Sequence, residues 1–208
     1  MKKKFLALVL TLAMVLSLLP ATALATGGNG EGTPSAGSTT GSTIYVDATN
    51  GDDDQADVGT AADKAYKTLE KAVTAAVSGD TIRLSEGKYT LYKKGAVTKD
   101  KDLTFVGQGT DKTSWGIGAT MPDPDKFGTE YNGDYSFDGA KTITFKDMTL
   151  QSASADYLGF IRADQTVVED CIINGKTFYW GYKSATFTNT TFNCPSGDYA
   201  LWTYSSPT

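Results

Sequence analysis

Thr144-Phe145-Lys146-Asp147-Met148-Thr149-Leu150, Val167-Val168-Glu169-Asp170-Cys171-Ile172-Ile173 and Thr186-Phe187-Thr188-Asn189-Thr190-Thr191-Phe192 are three copies of one pattern. Each has an apolar residue in second place, Asp or Asn in fourth and an apolar residue in seventh, and the copies are offset by 23 and 19 residues. A period of about 20 residues with no helix inside it implies a coil of short strands, because one turn can bury its inner face only against its neighbour. Asp147, Asp170 and Asn189 then share a corner, where a short polar side chain bonds the turning backbone. A second feature repeats between these copies. Phe160-Ile161, Tyr179-Trp180 and Leu201-Trp202 fall in corresponding places. Ile161, Trp180 and Trp202 form one column, and Phe160, Tyr179 and Leu201 the next. Alternation sends one column inward and the other outward, and sequence alone leaves open which.

Towards the N-terminus the strands continue. Leu103-Thr104-Phe105-Val106 is one, closed by Gly107 and Gly109, and Thr81-Ile82-Arg83-Leu84 alternates as another. Glu86-Gly87-Lys88 turns the chain into Tyr89-Thr90-Leu91. Residues 67–77 read as a helix. Thr68 is its N-cap. Leu69, Ala72, Val73 and Ala76 form one apolar stripe, and Gly79 supplies the left-handed cap that ends it. Ile44-Tyr45-Val46 is a short strand, followed by an acidic loop over residues 50–59.

The first 25 residues have a separate logic. Lys2, Lys3 and Lys4 precede a 15-residue apolar run, Phe5 to Leu19; Pro20 breaks it, and Ala23-Leu24-Ala25 offers a small-x-small cleavage site. That is the pattern of a secretory signal, too short for a spanning helix. Residues 26–43 are Gly, Ser, Thr and Asn apart from Glu31, Pro34 and Ala36, with almost nothing to bury, a disordered linker. The expected organisation is a signal peptide at 1–25, a linker at 26–43 and one domain at 44–208. That domain has an N-terminal cap at 44–91 and turns of strand at 92–208. With no C-terminal cap visible before Thr208, the chain reads as a truncated piece of a longer coil.

Charge narrows the partners. The chain carries 24 acidic and 19 basic residues, net −5. Removing the signal takes three lysines with it and makes the balance −8. An acidic surface disfavours nucleic acid and anionic membrane. Histidine is absent, which removes imidazole bases and the commonest zinc ligand. Export permits a disulfide between Cys171 and Cys194. They fall in different columns, however, and two free buried thiols are the preferred reading.

Ile44-Tyr45-Val46-Asp47, Asn50-Gly51-Asp52, Tyr66-Lys67-Thr68-Leu69, Ser78-Gly79-Asp80-Thr81-Ile82 and Glu86-Gly87-Lys88-Tyr89 together resemble the opening of the pectate-lyase-like superfamily. The resemblance covers residues 44–208. It implies an all-β fold, a right-handed parallel β-helix, with the helix after Tyr66 capping the N-terminal end of its core. The chain also resembles the N-terminal parts of large secreted or surface-displayed proteins of gut-type Gram-positive bacteria. Because the superfamily holds lyases, hydrolases and adhesins, the fold leaves the activity open.

Candidate sites are few. Lyases of the resembled fold use calcium with an Arg or Lys base, which singles out Arg162, beside Asp164; a surface pair between the two is the plainer explanation. Asp52, Asp53, Asp54 and Asp57 crowd one loop and are oxygen ligands of the kind calcium takes. Their spacing fits no EF-hand, and a solvated acidic loop is preferred; no cofactor is expected unless calcium binds there. Asp123, Asp125, Glu130 and Asp134 lie among Phe127, Tyr131 and Tyr135 in a long loop at 121–138, a chemistry suited to sugar hydroxyls and ring faces. Tyr179, Trp180, Tyr182, Trp202 and Tyr204 form a sugar-binding strip if exposed and a core stack if buried, the latter being favoured. The leading expectation is a secreted or cell-surface, non-catalytic, adhesin-like or glycan-binding module, acting as a monomer with no membrane span after cleavage. A fragment of a polysaccharide lyase or glycoside hydrolase acting on acidic glycans ranks second, and a structural stalk third.

Overall fold

The computed structural model describes residues 41–55, 57–91, 98–117, 135–137, 139–152, 160–175, 179–180, 183–194 and 200–201. The signal segment, most of the linker and the body of the 121–138 loop lie outside them. The chain divides into a unit at Met1–Ser38 and a compact unit at Thr39–Thr208, and only the second is described below.

Among the described residues the compact unit is strand-rich, with one α-helix. Its strands are β1 (Thr43–Val46), β2 (Thr81–Leu84), β3 (Gly87–Thr90), β4 (Leu103–Val106), β5 (Thr113–Ile117), β6 (Tyr135–Ser136), β7 (Thr142–Lys146), β8 (Thr149–Ser152), β9 (Phe160–Ile161), β10 (Gln165–Glu169), β11 (Ile172–Asn174), β12 (Tyr179–Trp180), β13 (Ser184–Thr188) and β14 (Thr191–Asn193). The helix, α1, is Leu69–Ala75. Every strand pairing is parallel. Three sheets result, ordered β1-β2-β4-β7-β10-β13, β3-β5-β8-β11-β14 and β6-β9-β12. From β4 onwards the chain visits the three sheets in rotation, so strands adjacent in sequence lie in different sheets.

Register builds the core. Ile44, Ile82, Phe105, Phe145, Val168 and Phe187 occupy one row across the first sheet. Tyr89, Trp115, Leu150, Ile173 and Phe192 occupy one row across the second. The second- and seventh-place residues of the repeat therefore face the core, and Phe145, Leu150, Val168 and Ile173 are at most 1% exposed. Phe105, Trp115, Phe137 and Phe145 pack together, Trp115 meeting Phe105 edge-on at 4.7 Å and Phe145 at 5.3 Å between ring centroids.

The corner after the first sheet differs from expectation in its cause. Asp147, Asp170 and Asn189 have φ of +54°, +53° and +47°. This left-handed conformation is tolerated by Asn and Asp better than by other side chains. The backbone thus requires these residues, and their side chains can bond one another: Asn189 Nδ2 donates to Asp170 Oδ1 at 2.6 Å. Gly107 takes the same place after β4, where a Cβ would come within 2.3 Å of the Asp147 carbonyl oxygen.

Two boundaries also shift. Thr68 caps α1 as expected, its hydroxyl accepting from Lys71 N, and Leu69, Ala72, Val73 and Ala76 are all buried. The helix nevertheless ends at Ala75, before the expected 77, and its C-cap Ala76 is extended, not left-handed. Gly79 does have φ of +96°, but in the next turn. The cause is Asp80, whose Oδ2 accepts from Val77 N at 2.8 Å and offers that amide an alternative to the helix. Oδ1 of Asp80 accepts from Ser42 N at 2.8 Å. Ser42 and Thr43 thus belong to the folded unit, two residues before the expected linker boundary.

Candidate functional site

Asp47, Asp52 and Asp53, in and beside the acidic loop after β1, use their carboxylates on nearby chain. Asp47 Oδ1 accepts from the amides of Thr49 and Asn50, each at 2.9 Å. Asp52 accepts from Asp54 N and Gln55 Nε2. Asp53 reaches across to the start of α1, accepting from Lys67 N at 2.9 Å and from the Thr68 hydroxyl at 2.7 Å. Burial, the largest influence on Asp47, works to raise its pKa, yet the hydrogen bonds from Asn50 and Thr49 together hold it below the usual carboxylate range. Asp52 is also lowered, first by the Asp54 amide and then by the Gln55 side chain. Asp57 is at φ of +58°. Among the described residues, no three acidic or cysteine side chains gather where one cation could take them all.

Arg162 is half-buried at the end of β9. Asp164, its proposed partner, gives Oδ2 to Lys183 Nζ at 2.7 Å. This ion pair across the corner between the third and first sheets was not anticipated, because Lys183 lies 19 residues away. Tyr179 and Trp180 form β12, in register with Phe160 and Ile161. This is the column assignment read from sequence, and Ile161 is 1% exposed. The side chains of Tyr179 and Trp180, and the whole of Tyr182, Trp202 and Tyr204, lie outside the described residues. So do Asp123, Asp125, Phe127, Glu130, Tyr131 and Asp134. Tyr135, grouped with that loop by sequence, belongs to β6, and Phe137 is a core residue at φ of +62° and 1% exposure.

Both cysteines are free. Cys171 is buried, and that burial pushes its thiol up to about 11. Cys194 is only half-buried, so the expected pair of buried thiols reduces to one.

One concavity that sequence reasoning missed lies between the start of α1 and β3. It has a volume of about 250 Å³ and is lined by Ala48, Lys67, Thr68, Leu69, Glu70, Lys88, Tyr89 and Thr90. Leu69 and Tyr89 are buried, as are Glu70 and Thr90 at 7% exposure each, whereas Lys67 and Lys88 are exposed at the rim. The Tyr89 hydroxyl lies 3.0 Å from the Ser85 carbonyl and 3.3 Å from that of Val46, and accepts from Ala48 N at 3.4 Å. Burial pushes its pKa up to about 12, so the phenol is a neutral structural bridge. The sequence signal that could have located this concavity is the turn at residues 86–88, which brings Lys88 beside the helix start.

Compared with known proteins, the chain matches no family model, no curated protein and no solved structure. Among the described residues, no helix is long and apolar enough to cross a membrane.

Proposed function

We propose that this chain is a secreted or cell-surface right-handed parallel β-helix that binds glycan without catalysis. The parallel pairing and rotation through three sheets support the coil, and its handedness follows from the strong right-handed preference of parallel crossover connections. The resemblance of residues 44–91 to the opening of the pectate-lyase-like superfamily points the same way. The observation that carries binding is the outward row of the first sheet. Thr43, Thr81, Thr104, Thr144, Val167 and Thr186 share one register position. Four short hydroxyl side chains, Thr43 to Thr144, thus repeat at the strand spacing of roughly 4.8 Å, and Thr186 follows beyond Val167. Hydroxyls repeated along a polar face suit a chain of sugars, each of which offers donors and acceptors. Asp52 and Asp53 of the acidic loop and Asp164 support a holding role over a catalytic one, since their carboxylates are committed to nearby amides and side chains and to Lys183.

A glycan array probed with the mature chain tests this reading, with saturable binding to a defined set of oligosaccharides expected. Unsaturated product released from an acidic polysaccharide by the chain alone would replace it with the lyase reading. Failure to bind any glycan would leave the stalk. Export is tested separately by N-terminal sequencing of the secreted protein, which should begin at Thr26.

A further inference from the structure

Threonine hydroxyls in this fold fall into two groups. Those of Thr68, Thr74, Thr113, Thr149 and Thr190 are bonded within the protein. Those of Thr43, Thr81, Thr104 and Thr144, on the outward row of the first sheet, have no protein partner among the described residues. They are open to water as well, because the hydroxyl that is both unbonded and buried is that of Thr166. We infer that this row seats on the surface of an insoluble, neutral polysaccharide and not on a free sugar chain, an inference that rests on the glycan-binding reading above.

Relief is the first reason. No side chain in the row is larger than threonine or valine. The next outward row, Tyr45, Arg83, Val106, Lys146, Glu169 and Thr188, is bulkier and carries the Lys146–Glu169 ion pair. On the other side stand Thr142, Gln165 and Ser184, which are shorter than that flank and uncharged. The row is thus a bench bounded on one side, not a groove that holds a chain from two. One-sided contact leaves most sugar hydroxyls in water, and each bond exchanged with water contributes little. A few such bonds do not offset the ordering of a flexible chain. A chain already straight and packed in a solid has lost that freedom before it binds. It also presents its hydroxyls at fixed places, as the row does at roughly 4.8 Å from strand to strand. Charge is the second reason. The row carries none, and the chain's net −5 repels an acidic polymer.

The test is depletion of the mature chain from solution by suspended microcrystalline cellulose, chitin and starch granules, with a calcium-set pectate gel as the acidic counterpart. The matching soluble oligosaccharides are titrated by calorimetry. At least one neutral solid is expected to take up the chain saturably, and its soluble oligosaccharide to bind far more weakly. A variant carrying Thr81→Val, Thr104→Val and Thr144→Val together keeps the shape of the row and deletes its hydroxyls, and valine suits a strand. It should lose the uptake. Thr104→Lys, which raises a long cation from the middle of the row, should lose it too. Thr191→Val, at an exposed position of β14, should retain it. Circular dichroism confirms that the variants are folded. Uptake retained by the triple valine variant or by Thr104→Lys overturns the inference, as does uptake by pectate alone or by no solid. Soluble oligosaccharides bound as tightly as the solid also overturn it, and leave the glycan-binding reading standing. If neither the solids nor the array bind the wild-type chain, both fall.

Discussion

The first and last strands of the large sheet are finished in different ways. At β1 the outer edge is closed by the chain itself. Tyr45 N donates to Gly59 O, Asp47 N donates to Tyr66 O, and Tyr66 N donates back to Tyr45 O. Gly59, at φ of +83°, makes this approach feasible, since a Cβ there would sit 2.3 Å from the Tyr66 ring. Beside it α1 buries Leu69, Ala72, Val73 and Ala76. At β13 and β14, the last strands of their sheets among the described residues, Ala185, Phe187 and Phe192 are only half-buried, although they continue rows that are fully buried further back. The same inward pattern therefore carries different stability in the two places. An apolar residue contributes in proportion to the area its neighbours cover, and the middle of a stack has neighbours on both sides.

The largest expected effect tests that statement directly. Phe105→Ala or Phe145→Ala, in the middle of the row, should each cost about 3–5 kcal/mol. Phe192→Ala, at the last strand, should cost about 1–2 kcal/mol because less area is buried. Urea denaturation of the three variants decides it, and equal losses would remove the distinction between the two regions.

Next in size is the stitch at the closed end. Asp80 is 3% exposed and holds the amides of Ser42 and Val77. Asp80→Ala should cost about 2–3 kcal/mol, the scale of lost hydrogen bonds to a charged group. Amide exchange at Ser42 and Val77 should speed up while β13 amides are unchanged; acceleration everywhere would mean that the two ends unfold as one.

A smaller effect, of opposite sign, lies one strand from the half-buried end. Thr166 occupies the inward row between Ile143 and Ala185, and its hydroxyl is buried without a hydrogen-bond partner. Thr166→Val keeps the shape and removes the orphan group, so a gain of about 1 kcal/mol is expected in the same denaturation assay. A loss would mean that the hydroxyl is satisfied by an internal water.

The last concerns pH. The folded-state pKa values of Tyr89 and Cys171 are raised by burial to about 12 and about 11. A raised acid pKa favours the protonated form in the native state. Its contribution is therefore complete below the unfolded values of 10.0 and 9.0 and is lost as pH climbs towards the folded ones. Thermal midpoints should fall between pH 9 and pH 12. Cys171→Ala should flatten the lower part of that slope and Tyr89→Phe the upper part. A slope untouched by either variant would place the alkaline sensitivity elsewhere.

What the residues determined unaided is everything with a short period. The 20-residue repeat marked Phe145, Leu150, Val168 and Ile173 as its apolar places, and one helical stripe identified the buried face of α1 together with its Thr68 cap. Hydrophobic pattern and capping are local, so they survive without coordinates. Tertiary structure decided what depends on partners distant in sequence. Phe105 and Phe145 are neighbours in one row although 40 residues separate them. Phe137 joins that core from a chain segment that reads as loop. The end of α1 was set by Asp80, the partner of Asp164 by Lys183, and the concavity beside β3 by a helix and a turn that carry no shared pattern. In each case the deciding contact joins segments whose spacing nothing local encodes.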